Sequence, residues 1–170
     1  ELFAEHLRFG RALEQSVAAD RRDLVADPTP GRRLRVAYLS SDLRRHPVGL
    51  FLAPVIEAHS REHFEVFAYS SVASADDVQA RLRAAVDHWV DASDLLDQAL
   101  TARIREDRID LLVDLGGHTT NGRMGVLARR AAPVQLSWLG YPDTTGLSTV
   151  DYRITDAVAD PPGESEIGRA

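Results

Sequence analysis

The amino-acid sequence predicts an α/β fold built on a mainly parallel sheet covered by helices on both faces. Short apolar runs of strand length alternate with segments of helical spacing along most of the chain. One run, DLLVDL at 110–115, is apolar enough to be a strand buried on both faces. Strands that alternate with helices imply βαβ units with right-handed crossovers.

Each element follows in order. Residues 1 to about 25 read as a helix, since Leu2, His6, Phe9 and Leu13 form one stripe that Phe3 and Leu7 widen. The cluster Asp27-Pro28-Thr29-Pro30-Gly31 stops it and marks a boundary, so residues 1–31 are expected to be a connector helix and linker. A strand at 34–40 (LRVAYLS) leads into a helix at 47–59, with Val48, Phe51, Leu52 and Val55 at helical spacing and Pro47 in its first turn. The alternation continues with a strand at 64–70, a helix at 75–85, a short strand at 88–91 and a helix at 95–106. The buried strand at 110–115, a helix at about 122–130, a strand at 134–139 and a last short strand at 152–155 complete the domain, expected over 32–162. The tail at 163–170 reads as a truncated linker.

Composition narrows the function. At 170 residues the chain has room for one domain with a sizeable core. Hydrophobic residues make up 44% and charged residues 27%, ordinary globular values. No apolar run approaches the roughly 20 residues that span a bilayer, and the first residues carry no signal-like stretch, so a cytoplasmic protein without a membrane partner is expected. The net charge of −6 disfavours nucleic acid. Cysteine is absent, which excludes thiol nucleophiles and cysteine-based metal sites. All 20 cationic residues are arginine, a usage expected of a GC-rich bacterial genome.

In an open parallel sheet, ligands bind beyond the carboxyl ends of the strands where the strand order reverses. With the common order 3-2-1-4-5-6, two loops would meet there: 40–47 (SSDLRRHP) and 116–122 (GGHTTNG). Each carries a histidine. A neutral imidazole at His46 could accept a hydroxyl proton or hydrogen-bond a phosphate, and the helix amino terminus at Pro47 suits an anion. His118 is a second candidate, its alternative being a ring that caps neighbouring backbone. His59 and His63 are four apart, but no third ligand accompanies them, so no metal site is expected. Asp114 reads as a structural carboxylate at a strand end, and Trp89 and Trp138 as packing residues. Neither a G-x-G-x-x-G fingerprint, a Walker pattern nor a D-x-D pair is present, which disfavours a dinucleotide site and a metal-bridged diphosphate.

Three stretches in this order, LRVAYLSSDLRRHPVG (34–49), IDLLVDLGGHTTNGRMGVLARRAAPVQLSWLGYPDTTGL (109–147) and VDYRITDAVADPP (150–162), resemble the amino-terminal catalytic lobe of the O-linked N-acetylglucosamine transferase and SPINDLY family. The resemblance implies a Rossmann-like lobe of a two-lobed, GT-B type glycosyltransferase. Such an enzyme is inverting and metal-independent, needs no cofactor, and moves a sugar from UDP-N-acetylglucosamine, or GDP-fucose, to Ser or Thr of an acceptor protein. It also implies tetratricopeptide repeats upstream, joined through the first helix, and a second lobe that holds most of the nucleotide sugar; neither is among these residues. Residue by residue, His46 matches a histidine at the sugar and phosphate end of the cleft. His118 and Thr119 match the loop that closes over the transferring sugar, together with Gly117. Ser41, Asp42 and Pro47 flank His46 in the matched segment. Tyr141, Pro142 and Thr145 match a loop on the acceptor side, although Asp143 stands where Gly or Asn is common. A catalytically silent α/β module that binds partner proteins is the competing function, and an unrelated nucleotide-binding α/β domain a third.

Overall fold

The structure is a computed structural model that describes residues 2–161. The linker expected at 163–170 lies outside the described residues, as does the last residue, 162, of the expected lobe. The strands are β1 (Leu34–Ser40), β2 (Phe64–Ser70), β3 (His88–Asp91), β4 (Leu111–Asp114), β5 (Val134–Trp138) and β6 (Tyr152–Ile154). They form one sheet in the order β3-β2-β1-β4-β5-β6, every neighbouring pair parallel, as the alternation of strand and helix predicts. The helices are α1 (Leu2–Ser16), α2 (Pro47–Ala58), α3 (Asp77–Ala85), α4 (Asp97–Glu106) and α5 (Met124–Ala128).

Period-two alternation in the central strands feeds two cores. Val36 and Tyr38 of β1 and Val66 and Ala68 of β2 pack with Val48, Leu52 and Ile56 of α2 and Leu82 of α3. Ala37 and Leu39 of β1 and Phe67 and Tyr69 of β2 face the other way, against Leu100 and Ile104 of α4 and Val126 and Leu127 of α5. Tyr38, whose hydroxyl meets His59 Nε2 at 2.7 Å, has its pKa pushed up to about 12 by burial.

Gln135, the only polar side chain of β5 that is fully buried, is accommodated because both ends of its amide are paired. Its Nε2 donates to Leu127 O at 2.9 Å and Thr149 O at 2.7 Å, and its Oε1 accepts from Ala131 N at 3.0 Å. This one residue fastens the end of α5 and the approach to β6 to the sheet.

Helix boundaries differ from the sequence expectation where tertiary contacts pull the chain away. The first helix ends at Ser16 rather than near residue 25, and a single 3-10 turn follows at Ala18–Asp20. Val17 is buried in the second core, while Asp20 takes Arg129 through its carboxylate and Arg105 through its carbonyl, so the backbone leaves the helical path. The segment to residue 33 is then extended or turned and is tied down by Arg32, which grips Asp110 with two hydrogen bonds of 2.6 Å. The fourth expected helix, from 95, starts instead at Asp97, where Leu95 O accepts from the Arg123 guanidinium.

Candidate active site

The strand order reverses between β1 and β4, which places the loops after these two strands side by side beyond their carboxyl ends. The loops touch: Ser41 Oγ donates to Thr120 O at 3.3 Å, and Leu115 N donates to Leu39 O at 3.0 Å. Inside the first loop, Ser40 Oγ accepts from Asp42 N at 2.9 Å, and Asp42 pairs with Arg44 at 3.0 Å. The loop ends at His46, whose extended backbone (φ −147°, ψ 153°) makes it the N-cap of α2, with Pro47 as the first helical residue.

His46 Nδ1 accepts from Val48 N at 3.3 Å. A ring nitrogen that accepts carries no proton, so the neutral ring keeps its proton on Nε2 and presents a donor. Asp42 Oδ2 lies 3.9 Å from the same Nδ1. The side chain is 38% exposed, and it stands at the positive end of α2. Of the two uses open to His46 from sequence, this tautomer suits donation to an anionic group better than proton abstraction.

The second loop is organised by Asp114. Its carboxylate is fully buried and accepts from Gly117 N at 2.7 Å and from Gly116 N. Burial pushes its pKa up to about 6, against the lowering effect of those two backbone donors. Gly117 has φ +53°, and a Cβ there would fall 2.6 Å from Tyr141 Cβ, so only glycine lets this loop close against the loop after β5. Thr119 turns inward, its Oγ1 donating to Gly116 O at 2.8 Å.

A folded-state pKa above the unfolded one means that the native protein binds the extra proton between about pH 4 and pH 6. The stability linked to Asp114 is therefore present below about pH 4 and lost as pH rises to about 6, a change of roughly 3 kcal/mol. Urea midpoints measured across this window should fall more steeply with pH in the parent than in Asp114→Asn. Parallel profiles would show that the carboxylate is not held in this way.

His118 donates from Nε2 to Thr145 O at 2.9 Å, which leaves its Nδ1 as a bare acceptor. Burial holds its pKa below the usual imidazole value, and the neighbouring His6 adds to that, against the Thr145 carbonyl and Asp143. The ring belongs to an aromatic cluster. It stacks on His6 at 4.6 Å and meets the edges of Tyr141 at 5.2 Å and Phe9 at 5.2 Å. Thr145 is buried, its Oγ1 taking Leu147 N, so it shapes the loop from within. Tyr141 and Pro142 line an open pocket of about 390 Å³ with Trp138, Leu139, Arg153 and Asp156.

The structure thus gathers Gly117, His118, Tyr141 and Thr145 into one cluster, and Ser41, Asp42, His46 and Pro47 onto the neighbouring loop that touches it through Ser41 and Thr120. The expectation from sequence counted His6 only as part of a helical stripe; a histidine within an otherwise apolar face was the available signal. His59 has its Nε2 engaged by Tyr38 and its pKa lowered by burial, while His63 is exposed. Among the described residues no group of three or more His, Asp or Glu side chains could hold a metal ion.

A parallel α/β sheet with its candidate site in the loops at the order reversal is a Rossmann-like domain. Residues 20–166 match the model of Glycosyl transferase family 41, and the chain belongs to that family. The probable UDP-N-acetylglucosamine–peptide N-acetylglucosaminyltransferase SPINDLY of Solanum lycopersicum is 43% identical over 141 residues, 81% of this chain and 15% of the tomato protein. The UDP-N-acetylglucosamine–peptide N-acetylglucosaminyltransferase of Caenorhabditis elegans is 38% identical over 133 residues, 77% of this chain and 12% of its own length. Among solved structures, a mutant O-GlcNAc transferase of Thermobaculum terrenum superposes with a TM-score of 0.76 at 43% identity, covering 85% of this chain and 29% of that one. The chain therefore spans about 15% of the length of the curated relatives it matches.

Proposed function

We propose that this chain is the acceptor-side lobe of an inverting, metal-independent protein O-glycosyltransferase that works in the cytoplasm. The donor is UDP-N-acetylglucosamine, the acceptor a Ser or Thr hydroxyl of a peptide, and a second lobe holds most of the nucleotide. GDP-fucose is the other donor the family resemblance allows. In this reading α1 continues into upstream tetratricopeptide repeats. The observation that carries the proposal is the pair of histidines on touching loops at the order reversal, one presenting a donor and the other an acceptor.

The division of labour follows from their tautomers. The acceptor Oγ forms a bond to the anomeric carbon, and the bond from that carbon to the diphosphate oxygen breaks with its electron pair. His46 Nε2–H and the amino terminus of α2 stabilise the charge that develops on the diphosphate. His118 Nδ1 can take the hydroxyl proton, and burial keeps its ring neutral and able to do so near pH 7. Ser41, Asp42, Pro47, Gly117 and Thr119 frame the sugar end of this cleft, and Tyr141, Pro142 and Thr145 the acceptor side.

Incubating the intact protein with a Ser/Thr peptide and either nucleotide sugar should yield glycopeptide and nucleoside diphosphate in equal amounts, unchanged by EDTA. A folded protein that transfers sugar from neither donor would refute the transferase reading. Loss of activity in EDTA, restored by manganese, would refute metal independence.

A further inference from the structure

Helix α1 is docked in an unusual way. Of its 15 residues only His6 and Gly10 are buried, whereas Leu2, Phe3 and Phe9 remain substantially exposed. Leu13 packs against the second core and Phe9 meets the edge of His118, but the rest of its apolar surface stays open. The closest polar and backbone contacts come from His6, Gly10 and Glu14, which share one helical stripe at four-residue spacing. A Cβ at Gly10 would lie 1.9 Å from Gly146 O, so the helix backbone rests directly on the 141–149 loop. Glu14 Oε1 accepts from Ser148 Oγ at 2.9 Å and Thr149 N at 3.2 Å. His6 Nε2 meets the Tyr141 hydroxyl at 2.8 Å, and its ring lies against His118, the two planes 29° apart.

Packing alone does not account for an imidazole at this place. His6 is 6% exposed, its Nδ1 is buried without a hydrogen-bond partner, and the nearest carboxylate, Asp143, is 3.8 Å away. An apolar ring of similar size would fill the space without burying an unpaired Nδ1. What the imidazole adds is a polar contact to Tyr141 made from the same ring that supports His118.

We propose that His6 is a positioning residue of the transferase site. It holds the Tyr141 ring on one side and the face of His118 on the other, so that His118 keeps Nε2–H on Thr145 O and Nδ1 free to act. The inference rests on the functional role given to His118 above, and it makes α1 part of the site rather than only a connector. Without His6, a space of about one ring opens beside His118, which loses its stacked support against a rotation that would exchange its two nitrogens.

The test uses the intact protein with His6→Ala, His6→Phe and Tyr141→Phe. In His6→Ala, ring-nitrogen spectra of labelled histidine should show His118 passing from one defined tautomer to an average of two. The turnover number kcat should fall by about 10- to 100-fold while KM for donor and peptide changes by less than about threefold, since misplacement of a reacting group acts on the chemical step. His6→Phe, which keeps the supporting ring, should recover most of the His118 signature. Its remaining loss in kcat should equal that of Tyr141→Phe and not add to it in the double variant. If His6→Ala fails to fold, the same comparison between His6→Phe and the parent decides the matter through that non-additivity. Unchanged His118 signals in folded His6→Ala, a kcat within about threefold of the parent, or fully additive losses would each overturn the proposal. If the parent itself transfers no sugar, the transferase reading fails, while the His118 spectra still decide whether His6 positions that ring.

Discussion

His46→Asn in the intact protein is expected to lower kcat/KM by about 10²- to 10⁴-fold with almost no change in stability. The choice of asparagine follows from the geometry. His46 caps α2 through Nδ1, and Asn is among the best N-cap residues, so its Oδ1 can replace that acceptor at Val48 N while nothing replaces the Nε2 donor. Thermal midpoints of variant and parent should then agree within about 2 °C. His46→Ala should lose the same activity and in addition roughly 1 kcal/mol for the missing cap. His63→Ala, at an exposed histidine beyond the helix, is the control, because His59 holds the buried Tyr38 and is not neutral. An active His46→Asn, or equal losses in His46→Asn and His63→Ala, would return His46 to a purely structural cap.

Gln135→Leu should cost roughly 3 to 5 kcal/mol. Leucine matches the volume but removes three hydrogen bonds, and the Ala131 N–H is left buried without its acceptor. Leu127 O and Thr149 O keep partners in Arg130, so the loss stays below that of three orphaned groups. Chemical denaturation should show a lower midpoint with an unchanged slope. Because Gln135 joins α5 and the approach to β6 to the sheet, the 139–147 loop between them should also become more open to proteolysis. A variant within about 1 kcal/mol of the parent would mean that these bonds contribute little net stability.

Both expected results depend on bonds that single residues make over different sequence distances, and the difference explains how legible each was. His46 sits two residues from the amide it caps, so S-S-D-x-x-x-H-P before an apolar helical run already marks the end of a loop and the start of a helix. The residues that Gln135 fastens lie 4, 8 and 14 positions away, on three separate segments. Nothing local reveals that an amide there is fully satisfied.

The sequence by itself determined the class of fold, the strand and helix order, the parallel sheet and the two loops at its reversal. Period-two and helical spacings, together with proline and glycine punctuation, are local patterns that neighbouring residues enforce on one another. It also showed the motif order by which the chain is identified with its family, since that lies in the residues themselves. Only the tertiary structure decided that the first helix stops at Ser16, that His46 offers a donor and His118 an acceptor, and that His6 stands beside His118. Each of these turns on a contact with a different element or on the direction of one hydrogen bond. His6 and Tyr141 are 135 residues apart and meet only because α1 is seated on the loop after β5, where a glycine at position 10 lets the two backbones touch.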